Sequence, residues 1–226
     1  MTTSDPLAPF QWLLTHDGHH CPLDEIYTVA FFRALDPSEV VRRFSRGENH
    51  GQELGFDELM EQATEKSSIP GGSGGVTVGV VQVGEWSVAI EPMGWMATLA
   101  DVLAELSRDW EVLAITRHDY AEHRFAYAID GTIVTGYSPL HCPHLRHGSE
   151  PDRLNGFMRE LGMAVDVRDD ENDGDEYDWE DEDEWPESDY LSFLPRAFAL
   201  AAKLTQVRFT PEILDRAMLV GPVAYR

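Results

Sequence analysis

Residues 76–92 read VTVGVVQVGEWSVAIEP. Two runs rich in β-branched and aromatic residues flank Gly84-Glu85, a two-residue spacing that joins antiparallel strands. Side chains alternate across a strand, so Trp86, Val88 and Ile90 share one face and Ser87, Ala89 and Glu91 the other. Two further strands are expected in WEVLAITR (110–117) and HRFAYAID (123–130). Asp130-Gly131 then turns the chain into TIVTGYS (132–138). Asp-Gly is a strong hairpin signal because both central residues of a type I′ turn take positive φ. Residues 76–138 thus predict about five mostly antiparallel strands, with one inserted helix, LADVLAELS, capped by Thr98.

Helix signals surround this sheet. Asp36-Pro37-Ser38-Glu39 supplies a capping residue, proline at the first helical position and Glu at the third, and Gly47 can end the helix. LDEIYTVAFFRAL (23–35) is apolar all round and reads as a buried helix that begins after Cys21. FDELMEQATEK (56–66) reads as a short amphipathic helix. IPGGSGG (69–75) reads as a flexible loop, since a phosphate-binding loop would end in Gly-Lys-Ser/Thr. Ser149 is placed to cap PDRLNGFMRELG, closed by Gly162. LPRAFALAAKL and a helix opened by Thr210-Pro211-Glu212 and stopped by Gly221-Pro222 close the chain. The fold class is α+β: a central antiparallel sheet with helices from both ends of the chain covering one face, and the other face free or paired. Residues 1–165 form the main body, 166–189 an acidic insert expected to be disordered, and 190–226 helices that dock on the same domain.

Charge restricts the partners. The formal net charge is −24, against nucleic acid, whose binding needs lysine and arginine to replace phosphate counterions. Anionic membranes are disfavoured for the same reason, and no apolar run approaches a membrane span. The start, MTTSDPLAPF, has no basic residue and no apolar core of a secretory signal. Two cysteines far apart make no disulfide framework, so a reduced cytoplasm is expected. Arginine outnumbers lysine fifteen to two, which reads as genome base-composition bias.

Residues 166–189, DVRDDENDGDEYDWEDEDEWPESD, carry fifteen acids and one arginine, which is −14 of the −24. Such a run lacks apolar periodicity and cannot fold alone. It is most often a solvated spacer. It also interleaves Tyr177, Trp179 and Trp185 with Asp181 and Asp183, a composition suited to docking on a basic protein. Its nearest match to a calcium loop, from Asp169 to Glu180, has Glu171 at the third position and Glu176 at the apolar eighth, so no EF-hand is expected.

Two stretches look like metal chemistry. Residues 16–22, HDGHHCP, and 141–147, HCPHLRH, hold six of the nine histidines and both cysteines. Zinc takes imidazoles and thiolates in a tetrahedron. His141, Cys142, His144 and His147 lie too close in sequence for a standard finger, so a site shared with His19 and Cys21 is the easier geometry. The plainer reading makes the cysteines small apolar residues and the histidines exposed loop residues. No cofactor other than zinc is suggested.

Catalytic patterns are sparse. Glu91-Pro92-Met93-Gly94-Trp95 ends a strand, and one carboxylate does not make acid–base chemistry. Glu91 is expected to bind turn amides, with Gly94 at positive φ and Trp95 packed. His118, Asp119 and His123 read as loop residues. No Gly-x-Ser-x-Gly elbow is read, because GGSGG (71–75) lies in a loop that leads into a strand and not into a helix, and His-Glu-x-x-His does not occur. Cys142 beside histidines has the makings of a nucleophile, but Pro143 and the missing oxyanion-hole glycine pair speak against it.

Five separated stretches, in order, resemble one actinobacterial family, catalogued as domain of unknown function 6461. They are ALDPSEVVRRF, GEWSVAIEPMGW, RFAYAIDGTIVTGYSP, HGSEPDRLNGFMRELG and LAAKLTQVRFTPEILDRA. The family signature reads Gly-Asp-Trp, then Glu-Pro-Asn-Gly-Trp, then Trp-Gly-x-x-Pro-Asp-Arg-Leu. The resemblance implies structural roles for Trp86, Glu91, Pro92, Gly94, Trp95, Asp130, Gly131, Pro151, Asp152 and Arg153. This chain departs from it at Met93, where asparagine is usual, and at His147, where tryptophan is usual. The family carries no assigned activity. The sequence therefore points to a non-enzymatic cytoplasmic interaction protein, of the immunity or conflict type, with a basic protein partner. A zinc protein or metal-dependent hydrolase is the alternative. No signature bears on oligomeric state.

Overall fold

The computed structural model describes residues 5–14, 20–48, 50–67, 76–118, 123–139, 141–166 and 187–225, without the side chains of Ser67 and residues 187–192. Its strands are β1 (Ile26–Arg33), β2 (Gln52–Leu54), β3 (Thr77–Val83), β4 (Trp86–Pro92), β5 (Glu111–His118), β6 (Arg124–Ile129), β7 (Thr132–Tyr137) and β8 (Met218–Pro222). They form one sheet in the order β2-β8-β3-β4-β1-β5-β6-β7, antiparallel at every pairing. The helices are α1 (Pro37–Phe44), α2 (Phe56–Ser67), α3 (Ala100–Leu106), α4 (Asn155–Glu160), α5 (Glu187–Thr205) and α6 (Pro211–Leu214), with 3-10 turns at Ala8–Leu13 and Met96–Thr98. The fold is α+β. The glycine-rich stretch 69–75 lies outside the described residues.

The hairpin of β3 and β4 turns at Gly84, φ +61, and pairs Val83 with Trp86. The β6–β7 turn holds Asp130 at φ +47 and Gly131 at φ +75, as a type I′ turn requires. Asp36 caps α1 as its sequence suggests: Oδ1 accepts the Glu39 amide at 2.9 Å.

Residues 26–33 form the central strand, not a helix. β1 lies between β4 and β5, and six of its eight residues are buried. Tyr27, Val29 and Phe31 enter one core cluster, while Ala30 and Phe32 enter another on the opposite face. A strand covered on both sides loses the alternation that marks a half-buried strand, so periodicity alone cannot separate it from a buried helix. Phe31 is fully buried, and its truncation to alanine costs about 3–5 kcal/mol.

Neither face of the sheet is open. On the first, Leu59 of α2, Met158 of α4, Phe198 of α5 and Phe10 pack on Val88, Phe31 and Leu113. On the second, Val40, Val41 and Phe44 of α1, Leu103 and Leu106 of α3, and Met96 pack on a row of small residues. That row runs Ala89, Ala30, Ala114, Ala126 and Gly136 across five paired strands. Small side chains there let the covering segments come close. The second face, expected from the sequence to be free or paired, is covered by helices of the same chain, because segments from both ends of the chain divide between the two sides.

Three helix ends differ from expectation. Thr98 belongs to the 3-10 turn and donates to the Trp95 carbonyl, while α3 starts after Leu99 with no side-chain cap. α4 starts at Asn155, after turns at residues 151–154, so Ser149 caps nothing. α6 stops at Leu214 and Met218–Pro222 becomes β8, between β2 and β3, where the sequence suggested a longer helix.

Candidate functional sites: the Glu91 turn, the histidine loop and the α4–α5 groove

Glu91 closes β4 and is 1 % exposed. Its Oε2 accepts the Met96 amide at 3.2 Å and its Oε1 the Ala97 amide at 3.0 Å. Register sets Glu91 opposite Thr28, and Thr28 opposite Thr116. Thr28 Oγ1 donates to the Gly94 carbonyl at 2.8 Å and lies 2.6 Å from Thr116 Oγ1, which lies 2.8 Å from Thr98 Oγ1. Three hydroxyls and a carboxylate thus hold residues 94–98 against the sheet. Burial raises the Glu91 carboxyl to about 7, although the two amides pull the other way. A lone carboxylate with both oxygens on backbone amides is a structural clamp. The turn's positive φ falls on Met93, +53, not on Gly94. Trp86 sits in the first core cluster, Pro92 pairs with Tyr27, and Trp95 lies 5.2 Å from the His118 ring.

The histidine loop scatters its donors. His141 Nδ1 is 3.2 Å from Ser138 Oγ, and Cys142 Sγ donates to the Ala164 carbonyl at 3.4 Å. The His147 ring lies over Gly136, where an added Cβ would meet Nε2 at 2.5 Å. His144 is exposed. Cys21 is buried ahead of β1 and starts no helix. Burial pushes both thiols up, Cys142 to about 11, which disfavours the thiolate that a nucleophile or metal ligand needs. Among the described residues no three His, Cys, Asp or Glu side chains stand together as a metal site. His19 lies outside the described residues.

The organising residue of this loop is Arg146, 10 % exposed at its side chain. It donates to Asn155 Oδ1 at the start of α4, to the Val165 carbonyl at 2.6 Å and to the Pro143 carbonyl at 3.4 Å, and pairs with Asp152 at 3.1 Å. Asp152 also accepts from Asn155 Nδ2 at 3.1 Å. Arg153 pairs with Glu150 at 3.1 Å and lies 5.9 Å from the Tyr127 ring, whose hydroxyl donates to Glu111 at 2.8 Å. Pro151 sits half-buried in the same turns. His123 stands in the connection between β5 and β6, as expected, yet its ring is part of the core. It is buried, stacks on Phe193 at 4.2 Å and accepts the His118 amide at Nδ1.

A groove of about 1070 Å³ runs between the Ala8–Leu13 turn, α4 and α5. Phe10, Phe157, Leu161, Ala199, Ala202 and Lys203 line it. Phe157 is 40 % exposed, unusual for a large apolar side chain here, with Lys203 Nζ 5.8 Å from its ring and 2.6 Å from Glu160. The acidic stretch connects α4 to α5, the two helices that wall this groove. Asp166, its first residue, pairs with Arg159 of α4 at 3.1 Å. Tyr177, Trp179, Asp181, Asp183 and Trp185 lie outside the described residues, and α5 begins at Glu187, inside the stretch as drawn from sequence.

A family model described as "Family of unknown function (DUF6461)" matches residues 3–224. The chain belongs to that family. No curated protein and no solved structure matches it. In this DUF6461 chain, Glu91 and Gly94 meet in one buried turn with Thr28, and Asp152 and Arg153 lie in the turns that lead into α4. Thr28, Thr116 and Arg146 were missed by sequence reasoning. The threonines look like ordinary strand residues, and a single arginine inside a histidine-rich loop draws no notice. Asp152 four residues before Gly156 offered no spacing rule that would have paired it with Arg146.

Proposed function

We propose that this chain is a non-enzymatic binding protein of an actinobacterial cytoplasm, of the immunity or conflict type, that recognises a basic protein. One observation carries the reading: a stretch with fifteen acids and one arginine links the two helices that wall an open groove, whose lining includes the exposed Phe157 ring. An exposed aromatic side chain on a chain that also carries a concentrated run of acids suits a partner with an apolar anchor and a basic rim. The acids raise the encounter rate and set the salt dependence, and Phe157 supplies the apolar anchor. The arginine excess and two unpaired cysteines support the proposed setting. Zinc chemistry at the Cys-His stretches is the weaker alternative, since His141, Cys142 and His147 are each engaged separately.

Affinity capture from the native lysate tests this, using the full chain, a Phe157→Asp variant, and a variant with the acids of 169–184 changed to amides. The reading expects one basic protein that elutes with salt and is lost from both variants. Capture that is equal for all three proteins would overturn it.

A further inference from the structure

A cleft of about 280 Å³ lies between the ends of α1 and α3, and four of its lining residues are arginines: Arg42, Arg43, Arg46 and Arg108. In a chain of net charge −24 this concentration of guanidinium groups stands out. Part of it is structural. Arg43 donates through Nη1 to the carbonyls of Leu106 and Arg108, at 2.8 and 3.0 Å, and so closes the C-terminus of α3. Its Nε bonds Glu39 at 3.0 Å, and Arg42 makes a two-fold pair with the same Glu39 at 2.6 and 2.8 Å. Cations at the last turn also suit the helix dipole.

That account does not need Arg46 or Arg108. Arg46 holds φ +53, a left-handed position that glycine normally fills after a helix. There it lies 4.6 Å over the Tyr225 ring and pairs with Glu105 at 3.1 Å. The two side chains of that pair are 54 % and 43 % exposed, so the pair is weak and exchangeable. The Arg108 guanidinium makes no hydrogen bond or ion pair among the described residues.

We infer that this cleft binds a small phosphate-bearing anion. Guanidinium forks match the oxygens of a tetrahedral anion in two-fold hydrogen bonds, which a point-charge lysine does not. The cleft is at the small end of ligand pockets, roughly 300–1,000 Å³, so the ligand is compact. The anion takes Arg108 and draws Arg46 from Glu105, while Arg43 stays on α3. Four guanidiniums stand against Glu39, Glu105 and Asp109, and the fork geometry of Arg46 and Arg108 is what suits an anion. This site is separate from the α4–α5 groove.

The test is calorimetric titration of the full chain with inorganic pyrophosphate and, separately, with phosphoserine, at constant ionic strength. We expect saturable one-to-one binding of at least one probe, weakened tenfold or more in the Arg46→Gln, Arg108→Gln double variant and unchanged in Arg208→Gln. Tighter pyrophosphate binding assigns a free inorganic anion, and tighter phosphoserine binding a phosphate carried on an organic molecule. No saturable heat from either probe, or equal affinity in the double variant, would overturn the inference.

Discussion

Glu91 Oε1 accepts the backbone amide of Ala97 at 3.0 Å, six residues along the chain and wholly inside the protein. The clamp has a pH signature. The folded-state value of about 7 stands above the usual 4.5, so the folded state holds this proton more tightly than the unfolded chain. The contribution is present below pH 4.5 and is lost as pH rises through about 7. Its size is on the order of 3 kcal/mol. Glu91→Gln is expected to flatten this fall, measured as the difference between wild-type and variant urea stability across that range. Identical pH slopes in the two proteins would refute the clamp's titration.

Met93 gives a cleaner backbone test. Its φ of +53 costs on the order of 1 kcal/mol for an ordinary side chain, and asparagine tolerates that region better. Met93→Asn should therefore stabilise the protein by about 0.5–1 kcal/mol, and Met93→Val should destabilise it. Equilibrium urea unfolding reads both signs.

The Met93 position also shows how the sequence was legible. The turn after β4 was expected, and glycine was the natural carrier of positive φ, but the strain falls one residue earlier. Hairpins with Gly84 and Asp130-Gly131 were readable because each turn has its own local chemistry. β1 was not, because burial on both faces erased its alternation. β8 was hidden because MLVGP follows a four-residue helix, and only pairing with β2 and β3 makes it a strand. The histidine loop advertised metal chemistry, yet its anchor is Arg146, whose partners come from residues up to nineteen positions away.

Two glycines separate backbone strain from collision. Gly148 sits at φ +117, and an added Cβ would lie 2.4 Å from the Val134 carbonyl oxygen. Gly84 sits at φ +61 with nothing within 4 Å. Gly84→Ala is expected to cost about 1 kcal/mol, and Gly148→Ala about 3 kcal/mol or more, because backbone must move. Equal costs in thermal unfolding would contradict this packing of the loop on β7.

Arg146 and Asp152 should not be equally important, although they form an ion pair. Asp152 is 73 % exposed, so Asp152→Asn should change stability by less than about 1 kcal/mol. Arg146→Leu leaves the Val165 carbonyl and Asn155 without their buried donor and should cost about 2–3 kcal/mol. Urea midpoints of the two variants give the order directly.

The central claim is recognition of a basic protein at the α4–α5 groove. Its most direct measurement is the dissociation constant of the captured partner at low and raised salt, for the wild type and Phe157→Asp. The account predicts weaker binding as salt rises in both proteins, and a loss of tenfold or more on substitution at every salt concentration, because charge and apolar anchor act together. An affinity that ignores both salt and Phe157 would contradict it.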